Sequence, residues 1–233
     1  MKVLSIDTSN NVLGIGLLDG NMVLGEYISN IKKNHSVRVM PAIQTLMEEC
    51  NVKPDELSKI VVAEGPGSYT GVRIGVTIAK TMAWTLKIPL SGVSSLQVAA
   101  ASAGRYFNGF LAPFFDARRG QIYTGLYKFE NKRLEVLKDD RLVMSADWGK
   151  TLNNLDSNIL FMSNDLALHE EVLKQELGSK AIFAEITELN PRPAELGLLG
   201  RDKEAVDLHT FVPNYIRLAE AETNWLKAQQ NNK

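Results

Sequence analysis

The amino-acid sequence predicts a two-lobed α/β protein in which one architecture occurs twice. An apolar run at 2–7 ends in an aspartate, and two further strand-like runs follow it. The same order of strand, aspartate, strand and strand begins again at 110–116. In each half, helices alternating with strands come next. We therefore predict an N-terminal lobe at 1–103, a C-terminal lobe at 104–208, and a segment at 209–233 that packs back on the N-terminal lobe.

In the first half, Asp19-Gly20-Asn21 is a strong turn signal that joins the second and third strands into an antiparallel meander. Pro41 removes an intrahelical hydrogen bond unless it lies in a first turn, so the first helix is expected to kink there or to start later than Ser36. The predicted strands are 2–7, 12–19, 22–29, 59–64 and 90–93, and the predicted helices are about 36–50, 71–87 and 94–103.

In the second half, Glu130-Asn131-Lys132 is the turn between two long strands. A last helix is predicted close to the end of the chain. The predicted strands are 110–116, 121–129, 133–138 and 158–162, and the predicted helices are near 145–154, 165–177 and 219–230.

Composition excludes several classes of protein. With a net charge of −1 the chain has no strong basic surface for nucleic acid. Cys50 is its only cysteine, which rules out an intramolecular disulfide and fits a reducing compartment. The chain has neither a secretory signal pattern nor an apolar run of about 18 residues. We expect a soluble, cytoplasmic protein that does not enter membranes.

The stretch from Gly65 to Arg73 lies between a predicted strand and a predicted helix and contains three glycines and three hydroxyl residues. Glycine lets backbone N–H groups approach a ligand, and the following helix adds the positive end of its dipole. This combination suits an anion or a closely docked surface. The spacing does not match a P-loop or a dinucleotide fingerprint, so a phosphate-type site and a plain turn remain open alternatives.

The aspartate after the first strand opens a turn that reads Asp7-Thr8-Ser9. Hydroxyl and N–H groups in such a turn can hold phosphate, and the carboxylate can hold Mg²⁺. The alternative is a hairpin turn that bonds to its own backbone. The matching turn of the second half contains Arg118 and Arg119, which can bind phosphate or a partner's carboxylate or can face solvent.

No catalytic or metal-binding set can be identified. The histidines lie far apart in sequence and none has the spacing of paired metal ligands, so they are interpreted as surface or capping residues. Cys50 has no basic neighbour and falls on an apolar stripe. The three histidines are His35, His169 and His209.

Two helices have a pattern typical of partner surfaces. Met40, Ile43 and Met47 form an adaptable apolar stripe on the first helix. On the second helix a ridge of small residues recurs every four positions and would let another helix approach closely. Burial of both faces within the chain is the alternative. The ridge consists of Gly71, Gly75, Ala79 and Ala83.

Five stretches resemble the TsaB (YeaZ) family of bacterial tRNA-modification subunits. The resemblance is strong at 65–73, and the others are 4–9, 35–43, 116–123 with its Asp116-Ala117-Arg118 motif, and 213–217. The match at 145–210 is weak. The repeated architecture is similar to the duplicated ribonuclease-H-like lobes of the actin, Hsp70 and sugar-kinase (ASKHA) superfamily. In that superfamily the turns named above meet a nucleotide. The resemblance thus marks a vestigial or weak nucleotide or phosphate site at Asp7, Thr8, Ser9, Gly67, Ser68, Thr70 and Gly71.

The resemblance implies a non-catalytic subunit that requires no cofactor or metal. It would bind and support a TsaD-type paralogue that forms N6-threonylcarbamoyladenosine in tRNAs reading codons that begin with adenine. A TsaE-type ATPase would join the pair, and tRNA would bind only through the complex. The chain could form a homodimer when the partner is absent.

Two other functions remain. An ATP-dependent kinase or ATPase is favoured by Asp7, Thr8 and the glycine loop at 65–73, but the glycine pair expected for adenosine is absent at 161–165. A metallopeptidase is opposed by the lack of histidines at 94–100.

Overall fold

The computed structural model describes residues 1–31 and 33–217, so the helix predicted at 219–230 lies outside the described residues. Two five-stranded mixed sheets form the framework, with strand orders β3-β2-β1-β4-β5 and β10-β9-β6-β7-β8. The first half supplies β1 (Lys2–Asp7), β2 (Val12–Asp19), β3 (Met22–Asn30), α1 (Val39–Glu49), β4 (Leu57–Ala63), α2 (Tyr69–Leu86), β5 (Leu90–Val93) and α3 (Ser95–Gly104).

The second half follows the same plan and then adds two short elements that the sequence did not predict, β10 and α6. It supplies β6 (Phe110–Asp116), β7 (Gln121–Glu130), β8 (Arg133–Met144), α4 (Ser145–Asn153), β9 (Ile159–Met162), α5 (Leu166–Leu177), β10 (Ala181–Phe183) and α6 (Pro193–Gly200).

The starts of α1 and α2 follow from local chemistry. A 3-10 turn at His35–Val37 precedes α1, and Pro41 is the third residue of the helix. There its missing N–H has no intrahelical acceptor to lose, so the later start predicted for this helix is correct. Helix α2 starts two residues before the predicted position because the side chain of Ser68 accepts the N–H of Gly71 as an N-cap.

The two sheets place equivalent carboxylates at equivalent points. Strand β1 is the middle strand of its sheet, antiparallel to β2 and parallel to β4. Strand β6 is the middle strand of the other sheet, antiparallel to β7 and parallel to β9. Asp7 ends β1 and Asp116 ends β6. Both aspartates therefore come from the carboxyl ends of central strands, where ligands bind in open α/β sheets.

The two halves exchange helices. Helix α3, from the first half, packs on β6 and β7, whereas α6, from the second half, packs on β1 and β2. Gly16 on β2 allows α6 to pack closely on the sheet. A Cβ at this position would lie 2.5 Å from Ser5 Oγ and 2.9 Å from the Pro193 carbonyl carbon. The predicted lobe boundary near residue 103 stays a prediction, because each sheet depends on a helix from the other half.

The segment after α6 lies along the open edge of the first sheet. The Val206 N–H donates to the Leu90 carbonyl at 2.8 Å, and the Lys59 ammonium donates to the Arg201 carbonyl at 2.9 Å. Further on, the Asn214 N–H donates to the Glu64 carbonyl at 2.7 Å. We call residues 201–217 the strap. In the described part of the chain, no helix is long and apolar enough to cross a bilayer.

The small-residue ridge of α2 is internal, so the prediction that it meets a partner is wrong. The four ridge residues are buried, and the helix face that carries them packs on β1 and β4. A Cβ at Gly75 would overlap the Thr8 hydroxyl, which explains why the ridge residues are small. Ile43 and Met47 are also buried in this core, whereas Met40 is 47% exposed. The predicted Met40, Ile43 and Met47 stripe thus reaches the surface mainly through its first member.

Candidate functional site

A polar cleft of about 540 Å³ opens between the ends of the two sheets. Its walls are the turns after β1 and β6, the glycine loop before α2, and the end of the strap. The lining residues are Ser9, Asn10, Asn11, Gly67, Ser68, Tyr69, Thr70, Phe115, Asp116, Ala117, Arg118, Tyr123, Asn164, Asp165 and Arg217.

The turn after β1 bonds mainly to itself. The carboxylate Oδ1 of Asp7 accepts the backbone N–H of Ser9 at 2.8 Å and its hydroxyl at 2.7 Å. The Thr8 hydroxyl donates to the Gly71 carbonyl at 2.7 Å. Donors that hold phosphate in a nucleotide site are therefore engaged within the chain.

The glycine loop packs directly on that turn. The Ser68 N–H donates to the Ser9 carbonyl at 2.7 Å. A Cβ at Gly67 would overlap the same carbonyl, and a Cβ at Gly71 would overlap the Thr8 carbonyl. The structure thus brings together the predicted site residues of the turn and the loop, but it uses the glycines for close contact between two backbone segments. Thr70 is exposed at the cleft surface.

One carboxylate oxygen in this region is left without a protein partner. Among the described residues, Asp7 Oδ2 is buried and accepts no hydrogen bond. Burial raises the pKa of Asp7, and the two bonds from Ser9 and the charge of His35 oppose that rise. Asp7 Oδ2 could hold a cation, yet the described residues contain no group of three acidic, histidine or cysteine side chains arranged for a metal ion.

The aspartate of the second turn is held by a histidine. His169 Nε2 lies 2.9 Å from Asp116 Oδ1, and the side chain of His169 is 4% exposed. The imidazole also packs edge-on against Phe114, with ring centroids 5.5 Å apart. Asp165 Oδ2 accepts the Asp116 N–H at 3.2 Å. The interpretation of His169 as a surface residue was wrong; its position three residues after Leu166 on one face of α5 was the available signal.

We expect Asp116→Ala to lower the free energy of unfolding by roughly 1–3 kcal/mol, because it leaves a buried imidazole without its partner. Urea denaturation at neutral pH measures the change. Adding His169→Phe to the Asp116→Ala variant should recover part of the loss, since a phenyl ring needs no acceptor and packs on Phe114. Equal stability of Asp116→Ala and the parent would contradict this role.

The strap brings a third set of residues to the cleft. Tyr215 packs against Tyr69 with ring centroids 4.9 Å apart and an angle of 30° between the rings. Arg217 Nη1 donates to the Ala117 carbonyl at 3.2 Å. Three stretches that are distant in sequence, the glycine loop, the Asp116-Ala117-Arg118 turn and residues 213–217, therefore meet at one opening. Sequence reasoning identified each of them but not their convergence.

A second polar cluster joins the two sheets beside β5. The carboxylate of Asp140 accepts hydrogen bonds from the Ser94 and Tyr127 hydroxyls. Burial raises the pKa of Asp140, and the two hydroxyls oppose that rise. Burial also raises the pKa of Glu64, where the charge of Lys203 opposes the rise and that of Asp140 adds to it.

The pKa of Asp140 gives a pH prediction. An acid whose pKa is higher in the folded than in the unfolded state binds more protons when folded, so its contribution to stability is lost as pH rises from about 4 through the folded pKa. The Asp140→Asn variant lacks this loss. Its free energy of unfolding relative to the parent should therefore increase between pH 4 and pH 7 in urea titrations. A constant difference would show that Asp140 does not titrate abnormally.

An apolar groove of about 690 Å³ lies along α1 and the loop at 51–54. Met40 of α1 and Met82 of α2 are among the residues that line it. Trp84, further along α2, is 71% exposed. We call this surface the α1/α2 face. Its apolar members are Met40, Ile74, Ile78, Met82 and Trp84.

Comparison with known proteins gives consistent matches. The family model of TsaD, tRNA N6-adenosine threonylcarbamoyltransferase, matches residues 22–225. The tRNA threonylcarbamoyladenosine biosynthesis protein TsaB of Bacillus subtilis (strain 168) is 54% identical over 230 residues, which are 99% of this chain and 100% of that protein. TsaB of Escherichia coli (strain K12) is 31% identical over 130 residues, 55% of each chain.

Solved structures confirm the predicted two-lobed ASKHA fold. YeaZ from Pseudomonas aeruginosa superposes with a TM-score of 0.76 at 20% identity, over 92% of this chain and 99% of that one. A ROK hexokinase from Thermus thermophilus superposes with a TM-score of 0.51 at 12% identity, over 86% and 99% of the two chains. At these identities the likeness concerns the fold alone.

Proposed function

Because the chain belongs to the TsaB (YeaZ) family of tRNA threonylcarbamoyladenosine biosynthesis proteins, we propose that it is a non-catalytic subunit that binds and supports a TsaD-type enzyme. The observation that carries this proposal is the α1/α2 face, where Met40 is 47% exposed at an apolar groove and Trp84 of α2 is 71% exposed. Large exposed apolar side chains beside an apolar groove are typical of sites of association, and methionine side chains adapt well to a partner.

The occupant that fits this face is a paralogue with the same fold. The family model that this chain matches is that of the transferase itself, so a TsaD-type partner carries helices equivalent to α1 and α2. Two matching faces can pair about an approximate two-fold axis. The same geometry allows a homodimer when the partner is absent. A TsaE-type ATPase would join the pair, and the complex would work on tRNA in the cytoplasm.

The contacts in the cleft favour a non-catalytic subunit over an enzyme. The donors of the turn after β1 bond to the chain itself. Asp116, the carboxylate of the second turn, is engaged by His169. Asn164, in the region where the superfamily holds adenosine, bonds to Asn30 from β3 and to the Leu189 carbonyl. No cofactor is therefore assigned to this chain.

The experiment is to purify the chain alone and with a TsaD-type partner. We expect the isolated chain to show no ATP hydrolysis and no tRNA modification, to bind tRNA only weakly, and to form a stoichiometric complex on size-exclusion chromatography. Robust ATP turnover by the chain alone, abolished by Asp7→Ala, would reject the proposal in favour of a kinase or ATPase. That alternative rests on Asp7 Oδ2, which is buried and has no hydrogen-bond partner among residues 1–31 and 33–217.

A further inference from the structure

The cleft carries its aromatic and cationic side chains at its opening. Tyr69 and Tyr215 form a packed pair and are 46% and 38% exposed. Arg217 lies close enough to Tyr123 to act on its phenol, where its charge opposes the rise in pKa that burial causes. Arg118 is exposed on the turn after β6. We call Tyr69, Tyr123, Tyr215, Arg118 and Arg217 the cleft mouth.

The charged side chains of the cleft differ in their contacts. His169 Nε2 contacts the carboxylate of Asp116, and Asp165 accepts the N–H of Asp116. Arg118 and Arg217, by contrast, form no ion pair with any residue in 1–31 or 33–217. Within the described part of the chain, the side chain of Arg217 donates to one backbone carbonyl, that of Ala117. The opening therefore presents two guanidinium groups to an anion, although the whole chain has a net charge of −1.

The position of the free hydrogen-bond donors in the cleft indicates which kind of anion can bind. A mononucleotide bound at the cleft floor would need the N–H and hydroxyl groups of Ser9 and Ser68, and the Ser9 hydroxyl and both N–H groups are engaged. The accessible donors lie instead at the mouth, beside two exposed rings. A ligand that runs across the mouth, with planar groups and spaced negative charges, fits this layout.

Single-stranded RNA has this chemistry. Its unstacked bases pack on tyrosine rings, and arginine binds its phosphates in bidentate fashion. We propose that the cleft mouth is a contact site for single-stranded tRNA nucleotides, with one base against the Tyr69–Tyr215 pair and phosphates on Arg118 and Arg217. The proposal rests on the proposed function, because the tRNA is held jointly with the TsaD-type partner.

The test uses the chain in complex with a TsaD-type partner and a tRNA transcript that the complex modifies. Fluorescence anisotropy across a salt series compares the parent with the Arg118→Gln, Arg217→Gln double variant. We expect about tenfold weaker binding and a slope of log K against log salt that falls by about 1 to 2, since two phosphate contacts are lost. Tyr215→Leu should weaken binding several-fold with an unchanged slope, because a stacking contact carries no counterions.

Arg133→Gln is the matched control, an exposed arginine about 30 Å from Arg118 at the far end of the β7–β8 hairpin. The Arg118→Gln single variant controls for misfolding. The Arg118 side chain makes no hydrogen bond or ion pair with residues 1–31 or 33–217, and its left-handed φ of 64° strains glutamine no more than arginine.

Association is measured first, without RNA. If the double variant associates normally and binds tRNA like Arg133→Gln, the inference is overturned. If the double variant loses the partner instead, the cleft mouth contacts protein and the inference is also overturned. If the parent itself does not associate, the proposed function fails and this inference fails with it.

Discussion

Replacing Ala79 with tryptophan is expected to destabilise the folded chain rather than to block a partner. Ala79 is fully buried on the face of α2 that packs on β1 and β4. An indole has no space there, and overpacking a core costs about 1–3 kcal/mol, or more for so large an increase in volume. For a domain of this size we expect the melting temperature to fall by roughly 5–10 °C.

Thr85→Trp provides the control, because Thr85 lies on the same helix and is exposed. Circular dichroism melting should place the control close to the parent. If Ala79→Trp kept the parental melting temperature and abolished association, the ridge would face a partner after all and the packing described above would be incorrect.

Replacing Met40 with aspartate is expected to abolish association while the chain stays folded. Met40 is the second residue of α1, where the positive end of the helix dipole stabilises a carboxylate. In a complex, the same carboxylate would be buried against an apolar partner surface without compensation. Losses at central interface positions reach 2 kcal/mol or more, which is about thirtyfold in Kd.

Isothermal titration with a TsaD-type partner measures the loss. Leu168→Asp is the matched control, since Leu168 is 65% exposed on α5, away from the α1/α2 face. Normal binding by Met40→Asp together with weakened binding by Leu168→Asp would show that the interface lies at α5 and contradict the prediction. Met47→Asp is unsuitable for this purpose because Met47 is 5% exposed and contributes to the core.

Strands β1, β2 and β6 were predictable because each carries a largely apolar run that ends in an aspartate. The bounds of β1, β2, β5 and β6 agree with the sequence prediction. Strand β8 continues six residues past its predicted end, through a stretch that begins with Asp139 and Asp140. There the pairing with β7 determines the structure, since an edge strand with one exposed face accepts charged residues.

Helix α6 was missed for a different reason. Seven of its eight residues are nonpolar, with Glu195 the exception, so they show no clear helical period. The small-residue ridge was misassigned because a run of glycine and alanine allows close approach to any surface, and the sequence does not say whether that surface is a sheet of the same chain. His169 was misread because its partner, Asp116, lies 53 positions away.

The exchange of helices between the halves has a consequence for the order in which the protein folds. The Ser5 hydroxyl on the central strand of the first sheet donates to the Pro193 carbonyl, a separation of 188 residues, and the Lys59 ammonium reaches the Arg201 carbonyl across 142. During synthesis, the β1–β5 sheet therefore leaves the ribosome with one face and one edge uncovered. Contacts of such long range slow folding and prolong the exposure of apolar strands. The N-terminal half of the chain, although it is made first, can complete its core only when nearly the whole polypeptide has emerged.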